Sequence, residues 1–106
     1  MIIKEIEERF VFDLEKLKDE ISSYDDEKNI WKTTGDINNS PGNLCLHICG
    51  NLQHFVGTVL GKTGYVRNRE LEFSQKNVSK EGLLAETDIT IAMIKKAIRK
   101  KQKENS

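Results

Sequence analysis

His47 and His54 stand seven residues apart, and Gly50 and Gly57 repeat that spacing three residues further on. Imidazoles are metal ligands and proton carriers near neutral pH. Glycines remove the Cβ that would hold a ligand or a second backbone away. Advancing 100° per residue from Pro41 gathers Asn43, His47, Gly50, His54 and Gly57 between roughly 160° and 240° of one helix. Such a face either lines a groove or metal site, or packs closely on another element with each His hydrogen-bonded. Seven residues span about 10.5 Å of rise, so the two His are badly placed to share one ion. Other ligands would have to come from another element. Cys45 and Cys49 lie on or beside the apolar side of the same helix. A CxxxC pair can join a His to bind zinc, or supply two small buried hydrophobes. Downstream, Tyr65, Arg67, Arg69, Glu70, Glu72 and Phe73 crowd two guanidinium groups and two carboxylates into a few residues. They form either an internal Arg–Glu network that tethers a loop over a buried Phe73, or an anion-binding loop at the mouth of the groove. No P-loop, GxSxG, HExxH or dinucleotide fingerprint occurs.

The helix that carries the His residues is set apart by charge. The chain has 106 residues, with 17 Lys+Arg against 17 Asp+Glu and a formal net charge of zero. Yet the 25 residues between Asp36 and Lys62 contain none of these four types, where a 32% charged composition would place about eight. A neutral balance with pI near 6.7 argues against a protein built to coat nucleic acid or an acidic membrane surface. Asn39, Asn43, His47, Asn51, Gln53 and His54 make the window too polar for a lipid-facing helix. Charges interrupt the apolar residues of Met1–Phe12, so this stretch does not read as a signal peptide. Two Cys without a secretion signal read as reduced thiols, and a soluble cytoplasmic protein is expected.

Three helical patterns position these residues, within one domain spanning 1–106. Ile3, Ile6, Phe10, Leu14, Leu17 and Ile21 recur at spacings of three and four, which predicts a helix over about 2–23. A polar loop over about 24–40 follows, with Trp31 as its large apolar anchor. Asn39 or Ser40 can cap a second helix over about 41–60, with Pro41 at its first position and Gly61 at its end. Leu44, Cys45, Ile48, Leu52, Phe55, Val56 and Val59 fall within about 120° and form its expected core stripe. Residues 61–77 read as a long ordered loop or a broken helix. Ser79 caps a third helix over about 79–102, with Leu83, Leu84, Ile91, Ile94 and Ile98 on its apolar side. Its basic end, from Lys95 to Lys103, complements the helix dipole and stays solvated. The fold class is all-α.

Trp31, then INNSPGNLCLHICGNLQHFVG, GYVRNRELEF and SKEGLLAETDITIAMIKK together resemble the DinB/YfiT-like superfamily of metal-dependent enzymes. The chain is most similar to the branch whose second helix reads NSxGNLxLHLxGNLxHF, over about residues 28–98. The resemblance implies an up-down four-helix bundle, often a homodimer. It also implies a divalent metal, nickel or zinc, held by one His of the second helix and two of the fourth. Characterised members include thiol S-transferases and a mycothiol-dependent isomerase, so a thiol or small-molecule substrate is implied. Residue by residue, only His47 carries over as a metal ligand. Asn43, His54, Arg67 and Arg69 are the other candidates, for the groove or for an anion. No His follows His54, and three of the usual four long helices are read in this chain. The three-His site is therefore incomplete, and the activity of this chain stays open. Thr87 stands where relatives tend to carry Leu. The competing expectation is a non-catalytic helical interaction or dimerisation module, whose open apolar groove a second copy would cover.

Overall fold

A computed structural model gives the architecture. It describes residues 2–33, 35, 39–62 and 64–104, with the side chains of 2, 3, 59, 60 and 104 excepted. Ile3 and Val59, assigned above to apolar stripes, therefore lie outside the described side chains. The described residues are helical and irregular, without a strand. Helix α1 spans Ile2–Ser22, and a 3₁₀ turn at Glu27–Trp31 follows it. Helix α2 is α-helical over Pro41–Leu52 and continues as π-helix over Gln53–Leu60. A short helix α3 covers Arg69–Ser74, and α4 covers Lys80–Glu104.

The starts of α2, α3 and α4 are each fixed by a side chain. The Ser40 hydroxyl accepts from the Asn43 amide at 3.1 Å, ahead of Pro41. The Asn68 carboxamide oxygen accepts from the Leu71 amide at 3.0 Å, and the Ser79 hydroxyl accepts from Gly82 at 3.0 Å. These caps satisfy amides that a helix cannot satisfy internally. Helix α3 falls in the stretch read as a long ordered loop or a broken helix, because six residues carry too little periodicity to read.

Helix α4 is central. It lies antiparallel to α1, with Lys18 bonded to Asp88 at 2.6 Å and Arg99 beside Glu7 at 3.8 Å. It runs in the same direction as α2: Cys45 meets Thr87 near the start of both, and Val56 joins Ile91 and Ile94 further along. The long helices thus do not alternate strictly up and down. The segment 65–78 makes the return journey, running back along α2 from Thr58, which donates to the Tyr65 carbonyl at 2.9 Å, to Asn43. Two apolar clusters fill the interior. One holds Leu14, Val56, Ile91, Ile94 and Ile98, the other Ile21, Ile30, Cys45, Cys49 and Leu83.

The core face of α2 is rotated from the expected stripe. Cys45, Cys49 and Val56 are buried, but Leu44, Ile48 and Phe55 are 41%, 38% and 55% exposed. Gly42, Asn43 and Gly50 are buried instead. The cause is the return segment: it covers the His/Gly side of α2, so α4 and residues 65–78 together draw the buried sector round toward that side. The face beside α1 is left uncovered.

Candidate functional site

Asn43, His47, Gly50 and Asn51 share the covered side of α2, and each meets the return segment. Asn43 is buried and spends its carboxamide on it. Its Nδ2 donates to the carbonyl oxygens of Glu72, at 3.1 Å, and Gln75, at 2.8 Å. Its Oδ1 accepts from the Ser40 hydroxyl at 2.7 Å. The helix cap and the α3 tether are therefore one hydrogen-bonded unit. Nearby, the Trp31 indole N–H donates to the Val78 carbonyl at 3.2 Å. Its six-membered ring lies against Gly42, where a Cβ would come within 2.7 Å of it. Only glycine fits there.

One turn on, Glu72 reaches α2. Its side chain is nearly buried, and Arg67 grips both carboxylate oxygens, Nε to Oε2 at 2.9 Å and Nη2 to Oε1 at 3.0 Å. Bidentate pairing of this kind is the strong form of an Arg–carboxylate contact. Arg67 also points Nη1 at the Asn51 carboxamide oxygen, 3.5 Å away. Its guanidinium is held in the charged form by Glu72. Gly50 makes room for this pair: a Cβ at that position would overlap Glu72 Oε2. So the glycine at this register serves a close approach, though to a carboxylate of the same chain.

His47 Nδ1 sits between the two charges, 3.3 Å from Glu72 Oε1 and 3.2 Å from Arg67 Nη2. A guanidinium can only donate, so a proton on Nε2 lets Nδ1 accept from Arg67, whereas a proton on Nδ1 is given to Glu72. In either tautomer Nδ1 is held inside the network, and Nε2 bonds to no described residue. The imidazole ring also packs on Phe73, with centroids 4.8 Å apart and planes tilted by 33°. Its outer side lines a groove between α1 and α2 that Phe10, Asp13, Leu17, Ile48 and Leu52 also border.

The structure thus joins Asn43, His47 and Arg67 and leaves two candidates elsewhere. His54 packs edge-on against Phe55, with centroids 4.8 Å apart, and does not reach the network. Arg69 is exposed and makes no ion pair among the described residues. An anion would find the Arg67 charge already neutralised by Glu72. No group of three or more His, Cys, Asp or Glu converges among the described residues. Among the described residues, nothing beside His47 completes a three-ligand centre, and its Nδ1 is taken up by Arg67 and Glu72.

Sequence reasoning overlooked Thr87, Gln53 and Glu86 as members of polar contacts. The Thr87 hydroxyl donates to the Leu83 carbonyl at 2.9 Å and lies 3.5 Å from the Cys45 sulfur and 3.8 Å from that of Cys49. Both thiols are fully buried. Contact with the Cys45 sulfur, together with burial, pushes the Cys49 thiol far up, so it is unreactive as a nucleophile. Both cysteines are packed in the interior, and the Thr87 hydroxyl, its own proton given to Leu83, offers oxygen lone pairs to the two thiols.

No known protein family, curated protein or solved structure matches the chain. Among the described residues, no helix is long and apolar enough to cross a membrane.

Proposed function

We propose that this chain is a DinB-like helical module that works by association, with the uncovered face of α2 packing on the same face of a second copy. The observation that carries this reading is the stripe Leu44, Ile48 and Phe55, which is apolar, exposed and on one side of the helix. From Leu44 to Phe55 it runs about 16 Å, or three turns. A two-fold dimer sets the same patch against itself, which succeeds only if the patch repels nothing of its own kind. Helix α2 meets that condition: from Pro41 to Gly61 it carries no Asp, Glu, Lys or Arg. Two copies can therefore approach along α2 with no like charges of that helix opposed, while Leu44, Ile48 and Phe55 leave water. Replacing Ile48 by Cys places a thiol at the centre of the stripe. Mild oxidation of Ile48→Cys is expected to give a disulfide-linked dimer in high yield, whereas wild type, its own thiols buried, gives none. Failure of Ile48→Cys to cross-link would count against a two-fold contact there.

A second reading, metal-dependent chemistry on a thiol or small molecule, rests on one observation. Glu72 beside His47 Nδ1 is the carboxylate–histidine pairing that often orients a metal-binding imidazole, leaving Nε2 for the ion. His47 would be the ligand for nickel or zinc, with the other ligands supplied from outside this set. Elemental analysis of protein purified without a His-tag separates the readings. Association alone requires no stoichiometric metal. Metal that disappears in His47→Ala would support the second.

A further inference from the structure

On the side of α2 away from the exposed stripe, the return segment and the start of α4 border a half-open cleft of about 280 Å³. This is just below the volumes typical of small-molecule clefts, about 300 Å³ and upward. Leu46, Leu71 and Val78 give it apolar walls, and Tyr65, Glu72, Gln75 and Glu86 give it polar ones; among the described residues, no Lys or Arg lines it. The two carboxylates differ in kind. Glu72 is neutralised by Arg67. Glu86 has no ion pair among the described residues, yet it is held in place. Gln53, itself buried, donates through Nε2 to Glu86 Oε1 at 2.7 Å and to Thr90 Oγ1 at 3.2 Å. That bond occupies one Glu86 oxygen and leaves the other without a donor from any described residue. The negative field reaches the Tyr65 phenol, which burial, then Glu72 and Glu86, push above its ordinary range.

A half-buried, oriented carboxylate with no cation, set among apolar walls, is the recognition chemistry of an ammonium group on a short apolar body. We propose that this cleft binds a small primary amine, whose ammonium group is received by the free oxygen of Glu86. Alcohols of the same shape lack the charge, and carboxylates are repelled. The site shares Glu72 with the His47 network and lies apart from the face assigned to association.

The test is amide chemical-shift titration of the full chain with benzylamine, benzyl alcohol and benzoate at neutral pH. Benzylamine is expected to shift the amides of Gly50, Gly82 and Glu86 saturably. Benzyl alcohol should bind at least about tenfold more weakly, the loss of one charge-assisted contact, and benzoate should not bind. Glu86→Gln keeps the shape and should weaken benzylamine by about tenfold or more. Leu71→Lys is a second variant, at a half-exposed wall position. It brings a competing ammonium and should also weaken the amine. Absence of a saturable benzylamine response, equal affinity for amine and alcohol, or unchanged amine affinity in either folded variant would overturn the proposal.

Discussion

Gly50 shows how a residue's role depends on what stands opposite it. In an exposed helix, Gly→Ala gains about 1 kcal/mol from lower backbone entropy. Here a methyl group would enter the space of the Glu72 carboxylate, which Arg67 holds on both oxygens. Overpacking against so fixed a partner costs about 1–3 kcal/mol. Gly50→Ala is therefore expected to destabilise by about 2 kcal/mol in urea unfolding, reversing the sign for a solvated helix site. A stabilised variant would mean that Glu72 does not rest on α2. The sequence showed that this face wants a close approach, and it left open whether to a ligand or to a neighbouring element. Spacing alone cannot decide that, because a glycine's missing Cβ looks the same in both cases. His47 was legible as a residue of that face, and its partners Glu72 and Arg67 were legible as a mutually pairing cluster. What could not be read was that the two groups meet, since they are 25 residues apart in the chain.

Among the elements, the return segment 65–78 does most to shape the molecule. It has little apolar periodicity and contains one short helix, so pattern reading left it undivided. It is held to α2 by bonds whose donors could be listed from the sequence but whose acceptors are main-chain carbonyls, which carry no residue signature. Asn43 supplies two of these bonds, to Glu72 and Gln75. Asn43→Ala removes both and leaves buried carbonyls unpaired, at a cost of about 2 kcal/mol. Hydrogen exchange should then quicken through residues 70–76, more than in α1. Exchange that rises equally in both would show that α3 does not depend on this tether. The long helices were readable because their apolar residues recur at three and four over about four turns or more. Their relative directions were not. A parallel α2 and α4 follows from the return segment's path, and that path is set by hydrogen bonds and one Arg–Glu pair, not by periodicity. The same path explains why the core stripe of α2 was misplaced: the wheel ordered the apolar residues correctly, but the buried sector is chosen by what packs on the helix.

At the scale of the whole molecule, the distribution of charge and of exposed apolar surface give one account. Helix α2 lacks charge on every side, yet only part of its circumference is covered by α4 and the return segment. The remaining face carries Leu44, Ile48 and Phe55 beside the α1 groove. A helix face meant for solvent would carry Lys and Glu, as the outer faces of α1 and α4 do. Burying this stripe in a two-fold contact accounts for its apolar residues and for the absence of charge in one step. Sedimentation equilibrium over a broad concentration range, on wild type and on Ile48→Glu, tests this most directly. The expected result is a concentration-dependent dimer for wild type, and a monomer for Ile48→Glu, in which two carboxylates would be opposed across the axis. A wild-type chain that stays monomeric throughout, or an Ile48→Glu variant that dimerises as wild type does, would contradict it.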